Sequence, residues 1–143
     1  MNGLSLNARR MGIAVAAALL LGSGLAWQAG GEPGGATVKP VRVEKLPNLP
    51  GKSLTAVLVT YGPGGKSGKH HHAGSVFAYV VSGEIRSATS VGGPARVYKA
   101  GESFFEPPGA EHLVSENASA SEPASLLAVF VADDGAQLTT PDP

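Results

Sequence analysis

Gly64-Gly65-Lys66-Ser67-Gly68-Lys69-His70-His71-His72, running on through Val76 to Gly83, decides the fold together with a second block, Gly101-Glu102-Ser103-Phe104-Phe105-Glu106-Pro107-Pro108-Gly109-Ala110-Glu111-His112. The chain has 4 histidines, and all of them fall in these two blocks. Side chains of a strand alternate faces, so His70 and His72 point one way and His71 the other. A pair on one face can fill two positions around one metal ion. Pro107-Pro108-Gly109 is a turn that reverses the chain and sets the strand carrying His112 beside the first. Three imidazole nitrogens from two strands then converge. Three protein ligands leave positions open, as a catalytic metal site requires. Neutral imidazole suits the first-row transition metals.

These residues make the chain resemble the cupin superfamily. The family's first motif, G(X)5HXH(X)3,4E(X)6G, is met by Gly64 or Gly65, His70, His72 and Gly83, with Val76 where the acid falls. Its second motif, G(X)5PXG(X)2H(X)3N, is met by Gly101, Pro107, Gly109 and His112. Glu116 takes the place of the asparagine, and Asn117 follows it. The resemblance covers roughly Val38 to Asp134. It implies a double-stranded β-helix, the jelly-roll barrel of cupins. It also implies one divalent transition metal (Fe, Mn, Ni or Zn) on His70, His72 and His112.

Many cupins add a glutamate to three histidines. Val76 cannot ligate a metal, and Glu84 lies on the wrong side of Gly83 to substitute. Glu106, six residues before His112, is read first as a surface charge or a support for a ligand. A fourth ligand or the catalytic acid/base are its alternatives. Three neutral imidazoles leave the ion its full charge, which favours an anionic chelating substrate such as an enolate or carboxylate. Some cupin dioxygenases are similar in using three histidines and no acid. Two functions follow. One is a metal-dependent enzyme, dioxygenase- or isomerase-like. The other is a non-catalytic periplasmic module for a small ligand or a metal. They differ in whether the open metal positions face a pocket or a filled interior, since the barrel itself hosts many activities.

Length and composition narrow the rest. A chain of 143 residues is one domain. With 0 cysteines there is no disulfide, thiolate ligand or cysteine nucleophile. The balance of 11 basic and 11 acidic residues offers no basic patch for nucleic acid. The partner expected instead is a small-molecule substrate or ligand, and the resemblance to cupins makes a homodimer through an exposed sheet the further expectation. Arg86 and Arg96 are read as solvated strand charges, with contact to an anionic substrate as the alternative.

Residues 1–26 read as a signal peptide: Arg9 and Arg10 form a positive start, Met11 to Leu21 is apolar, and Gly24-Leu25-Ala26 suits cleavage. The apolar run is shorter than the roughly 20 residues that span a bilayer. An uncleaved anchor held at the interface by Trp27 is the alternative. The arginine pair also allows twin-arginine export, although its flanks match that signal poorly. Either route places the protein in the periplasm or otherwise outside the cytoplasm. Residues 27–37 form a Gly/Pro-rich linker, 38–134 the barrel and 135–143 a polar tail.

Strands are expected at Val41–Leu46, Ser53–Tyr61, Ser75–Ser82, Ile85–Ser90, Ala95–Lys99, Ser103–Glu106, His112–Ser115 and Ser125–Val131, and no segment after the leader has helical periodicity. Parity sets Val76, Ala78 and Val80 inward with His70 and His72, and Phe77, Tyr79 and Val81 outward. Counted from His112, Val114 faces inward. Tyr61, Phe104 and Phe105 are candidate walls of the pocket.

Overall fold

The computed structural model describes residues 35–143. The expected leader, Trp27 and most of the linker lie outside the described residues. Eleven strands follow: β1 (Ala36–Lys45), β2 (Lys52–Tyr61), β3 (Lys66–Ser67), β4 (His70–His72), β5 (Ser75–Ser82), β6 (Glu84–Thr89), β7 (Arg96–Lys99), β8 (Ser103–Glu106), β9 (Glu111–Asn117), β10 (Ala124–Asp133) and β11 (Thr139–Pro141). Among the described residues there is no helix. The strands form two antiparallel sheets. One runs β1-β2-β10-β5-β8, and the other runs β11-β4-β9-β6-β7, with β3 also paired to β9. This is the jelly-roll barrel that the two histidine blocks imply.

The five-stranded sheet supplies most of the core. Its middle strand β10 reads ASLLAVFVAD, rich in the aliphatic and aromatic residues that pack on a pleated surface. The inner face of this sheet carries Val57, Tyr61, Val76, Ala78, Val80, Leu126, Ala128 and Phe130, all in one buried cluster with Ile85 from β6. The parity expected for β5 holds: Val76, Ala78 and Val80 are at most 1% exposed, while Phe77, Tyr79 and Val81 are 41–50% exposed. It survives the passage from β4 in one sheet to β5 in the other. Gly74 makes that crossing against β10, where an added Cβ would fall 2.1 Å from the Val131 carbonyl oxygen.

Two expectations fail for identifiable reasons. Val114 does not share the face of His112. In the β6–β9 ladder Thr89 pairs with His112 and Ala88 with Val114, so Leu113 is an extra residue in a β-bulge. Past the bulge parity flips, and Ser115 and Asn117 turn inward instead. The bulge also explains why asparagine stands at 117 rather than 116. The buried Asn117 amide donates to the Gly62 and Glu122 carbonyls, whereas Glu116 pairs with Arg86. Phe105 is not a pocket wall. It pairs with Phe77 on the outer face and is exposed. Within the polar tail the structure adds β11, antiparallel to β4, a strand that its short polar sequence did not signal.

Candidate metal centre

His70 and His112 are direct cross-strand partners on β4 and β9, and His72 follows His70 on the same face. Ligand nitrogens of the three rings all lie within 4.8 Å of one another. His72 and His112 are buried, and His70 is half-buried. The structure therefore brings together the three histidines singled out in the sequence. His71 points away, with its Nδ1 2.6 Å from Asp142 Oδ1.

The rings are held by bonds that fix which nitrogen faces the centre. His70 Nδ1 donates to the Gly68 carbonyl at 2.7 Å, and His72 Nδ1 donates to the Leu138 carbonyl at 3.0 Å. A carbonyl only accepts, so in each neutral ring the proton sits on Nδ1 and the Nε2 lone pair is free. Burial lowers the pKa of both His70 and His72 below the ordinary histidine value, which keeps them neutral. His112 is held from its other side: its Nε2 lies 2.9 Å from Ser87 Oγ, leaving Nδ1 towards the centre. Such bonds to the far nitrogen orient metal-ligating histidines generally.

Glu106 is not a surface charge. It is 3% exposed, and its Oε2 stands 3.1 Å from His112 Nδ1 and 3.7 Å from His72 Nε2. Neither Glu106 Oε2 nor His112 Nδ1 has a hydrogen-bond partner, although both are buried. Buried polar atoms are rarely left unpaired, because desolvating them is costly. A divalent cation bound here would give both atoms a partner, and a donor set of nitrogen and oxygen suits a first-row transition ion. The residues present thus fit the metal that the motifs imply.

The histidines and Glu106 line a cavity of about 290 Å³. Its other walls are largely apolar, with Val57, Ala78, Leu126 and Phe130 among them. Tyr61 and Phe104 are walls, as expected. The Tyr61 hydroxyl is bonded to Ser67 Oγ at 2.9 Å and Ser115 Oγ at 2.8 Å, and burial raises its pKa. Lys69, which is exposed, also lines the cavity. Arg86 and Arg96 do not: one pairs with Glu116 and the other lies over the Tyr98 ring. Sequence reasoning missed Ser87, Ser115, Leu138 and Thr139. Ser115 could have been found only by anticipating the bulge, and no local signal marks the others.

A family model described as a cupin domain matches residues 57–130, a little over half of the chain. No curated protein matches the sequence. Several solved structures share the fold. DMSP lyase DddQ from Ruegeria pomeroyi DSS-3 has 22% identity and a TM-score of 0.53, over 62% of this chain and 42% of that one. A variant of oxalate decarboxylase from Bacillus subtilis has 28% identity and a TM-score of 0.52, over 62% of this chain and 23% of that one. KdgF from Halomonas sp. has 24% identity and a TM-score of 0.54, over 70% of this chain and 80% of that one. The chain spans less than half the length of the lyase and less than a quarter of the decarboxylase.

Proposed function

The chain belongs to the cupin family, and from that premise we propose that it is an exported metal-dependent enzyme acting on a small anionic or chelating substrate. One observation carries the reading: the imidazole cluster opens into a cavity of about 290 Å³ instead of a filled interior. His70, His72 and His112 would hold a divalent ion, which would supply Lewis-acid polarisation of a carboxylate or enolate substrate, or dioxygen chemistry if it were iron. The chain's own residues do the rest. Ser87, Leu138 and Gly68 hold the rings in orientation. The apolar walls exclude water and so strengthen every charge interaction inside. The neutral hydroxyl cluster of Tyr61, Ser67 and Ser115 offers hydrogen bonds to a polar end of the substrate. Lys69 favours entry of an anion.

Two of the similar structures are named as a lyase and as a decarboxylase of oxalate, a chelating dianion. The oxalate decarboxylase, at 28% identity, supports a small carboxylate as the substrate class. A second reading, a module that holds a small ligand or an ion without converting it, draws on the cavity wall having a single acid, Glu106. The leader at residues 1–26 supports a periplasmic location, with an uncleaved membrane anchor as its alternative, and the N-terminal residue of the mature protein distinguishes the two.

The testing experiment is elemental analysis of tag-free protein from its native compartment, beside a His70→Ala/His112→Ala variant. About one equivalent of a single metal, lost in the variant, is the expected result. Iron would point to oxygen chemistry, and zinc, manganese or nickel to Lewis-acid chemistry. No metal in either protein, and none taken up on reconstitution, sinks the metalloenzyme reading.

A further inference from the structure

We propose that Glu106 completes the metal centre as a fourth ligand, delivered from β8 across the sheet from the position where the first motif carries its acid. The inference deepens the metal-site reading and rests on it. In the β5–β8 ladder Val76 and Glu106 are direct partners. Paired residues of neighbouring strands have Cβ atoms only about 5 Å apart on one face of the sheet. A glutamate at 106 therefore reaches the space that a glutamate at 76 would fill. The apolar Val76 leaves that space free, and it is itself fully buried beside the cavity.

The strongest support is the pair of unpartnered atoms. Glu106 Oε2 and His112 Nδ1 face each other at 3.1 Å, both buried and without a hydrogen bond. Two donors held about 2.1 Å from one ion, at about 90–110° to one another, are separated by about 3.0–3.4 Å. The distance to His112 Nδ1 lies in that range and the 3.7 Å to His72 Nε2 just beyond it. At 3% exposure the Glu106 carboxyl holds a buried oxygen with no hydrogen-bond partner, which a cation would pair. Among the described residues no lysine or arginine pairs with it; its ionisable neighbours within 4 Å are the two imidazoles. A shared divalent ion answers all of these needs together. Against the three-histidine set, the carboxylate removes one unit of positive charge from the centre. It also adds a hard oxygen donor, which shifts preference towards ions that accept mixed nitrogen and oxygen ligands.

The test uses cobalt(II) and zinc(II) binding to the purified protein in competition with a chelator. Four proteins are compared: wild type, Glu106→Ala, Glu106→Ala/Val76→Glu, and His112→Ala. The expected result is about a tenfold or larger loss of affinity in Glu106→Ala, with an altered cobalt ligand-field spectrum. Restoring the acid at 76 in the double variant should recover both. Because Glu106→Ala could fail to fold, the wild type is also read directly. Zinc loading should shift one carboxylate stretching band in the infrared difference spectrum, and Glu106→Gln should lose that shift. Wild-type affinity and an unchanged cobalt spectrum in Glu106→Ala, with binding lost in His112→Ala, would overturn the role of Glu106 and leave the three-histidine site standing. No binding by the wild type would overturn both.

Discussion

The two sheets face each other across one cavity but do different work. The five-stranded sheet turns Val57, Val76, Ala78, Val80, Leu126, Ala128 and Phe130 inward, a nearly unbroken apolar wall. The other sheet turns His72, His112, Ser87, Thr89, Ser115 and Asn117 inward, with Ile85 as its buried aliphatic residue. One wall gains its stability from area removed from water. The other consists of polar groups whose burial is tolerable only because nearly every one is bonded. The barrel thus separates what holds it together from what gives it chemistry. Glu106 is the exception, a buried acid that the apolar wall contributes to the polar one.

That division makes mutations on the two walls separable. The largest stability effect belongs to the apolar wall. Phe130→Ala removes a ring that is 5% exposed, at a cost of about 3–5 kcal/mol. Urea denaturation of the metal-free protein measures the loss, while the fraction that remains folded should still take up its metal. Loss of metal uptake out of proportion to unfolding would break the comparison. Phe130 would then act on the site through the His72 ring, whose centroid is 5.1 Å from its own.

His112→Ala on the opposite wall should reverse the pattern. Removing a ligand should weaken metal binding by more than the roughly 100-fold upper cost of removing an outer hydrogen-bond partner. Stability of the metal-free protein should change much less, because the variant also deletes one of the two unpartnered atoms at the centre. Ser87→Ala sharpens the point at smaller scale. Its hydroxyl, 2.9 Å from His112 Nε2, orients the ring without touching the centre. Competition titration should show a loss of about tenfold in metal affinity.

The metal-free protein should also register the polar wall through pH. Burial depresses the pKa of His70 and His72, so the unfolded chain binds their protons more readily than the folded one. Stability is therefore complete above the ordinary histidine value of 6.5 and falls as pH drops below it towards the depressed values. His72→Gln removes one of the two rings and should flatten this slope in denaturation midpoints taken between neutral pH and mild acid. An unchanged slope would mean that the rings are hydrated in the metal-free protein.

The sequence made much of this legible, and unevenly. The histidine trio was visible because three ligands at motif spacing leave few other readings, and β5 parity was visible because alternation survives any rotation of the strand. The displaced residues were not, and in each case the cause is geometric. Asn117 stands one residue late because the Leu113 bulge consumes a position. Glu106 lies buried opposite Val76 because a ladder makes residues 30 apart into neighbours, and register cannot be counted along one chain. The Leu138 carbonyl reaches His72 from a tail whose only sequence signature is polarity. A motif records the order of ligands along the chain, whereas a metal centre depends on their positions in space. A missing motif residue is therefore weak evidence for a missing donor.

The smallest expected effect lies on the outer face of the apolar wall. Phe77 and Phe105 are paired across β5 and β8, and like Tyr79 and Val81 they are exposed on the outer face of this sheet. Phe105 is 59% exposed, so Phe105→Ser should move the stability of the isolated chain by no more than about 0.5 kcal/mol and leave metal binding unchanged. The homodimer expected from the sequence would make this face a contact, since contiguous apolar surface on a monomer usually has a partner. Stability would then depend on protein concentration in the wild type and lose that dependence in Phe105→Ser. Thermal melts over a hundredfold range of concentration separate the outcomes. A concentration-independent melt in both proteins means that the outer face is plain solvated surface. A slope in the wild type alone means that the sheet is buried on both faces, with the cavity on one side and a second copy on the other.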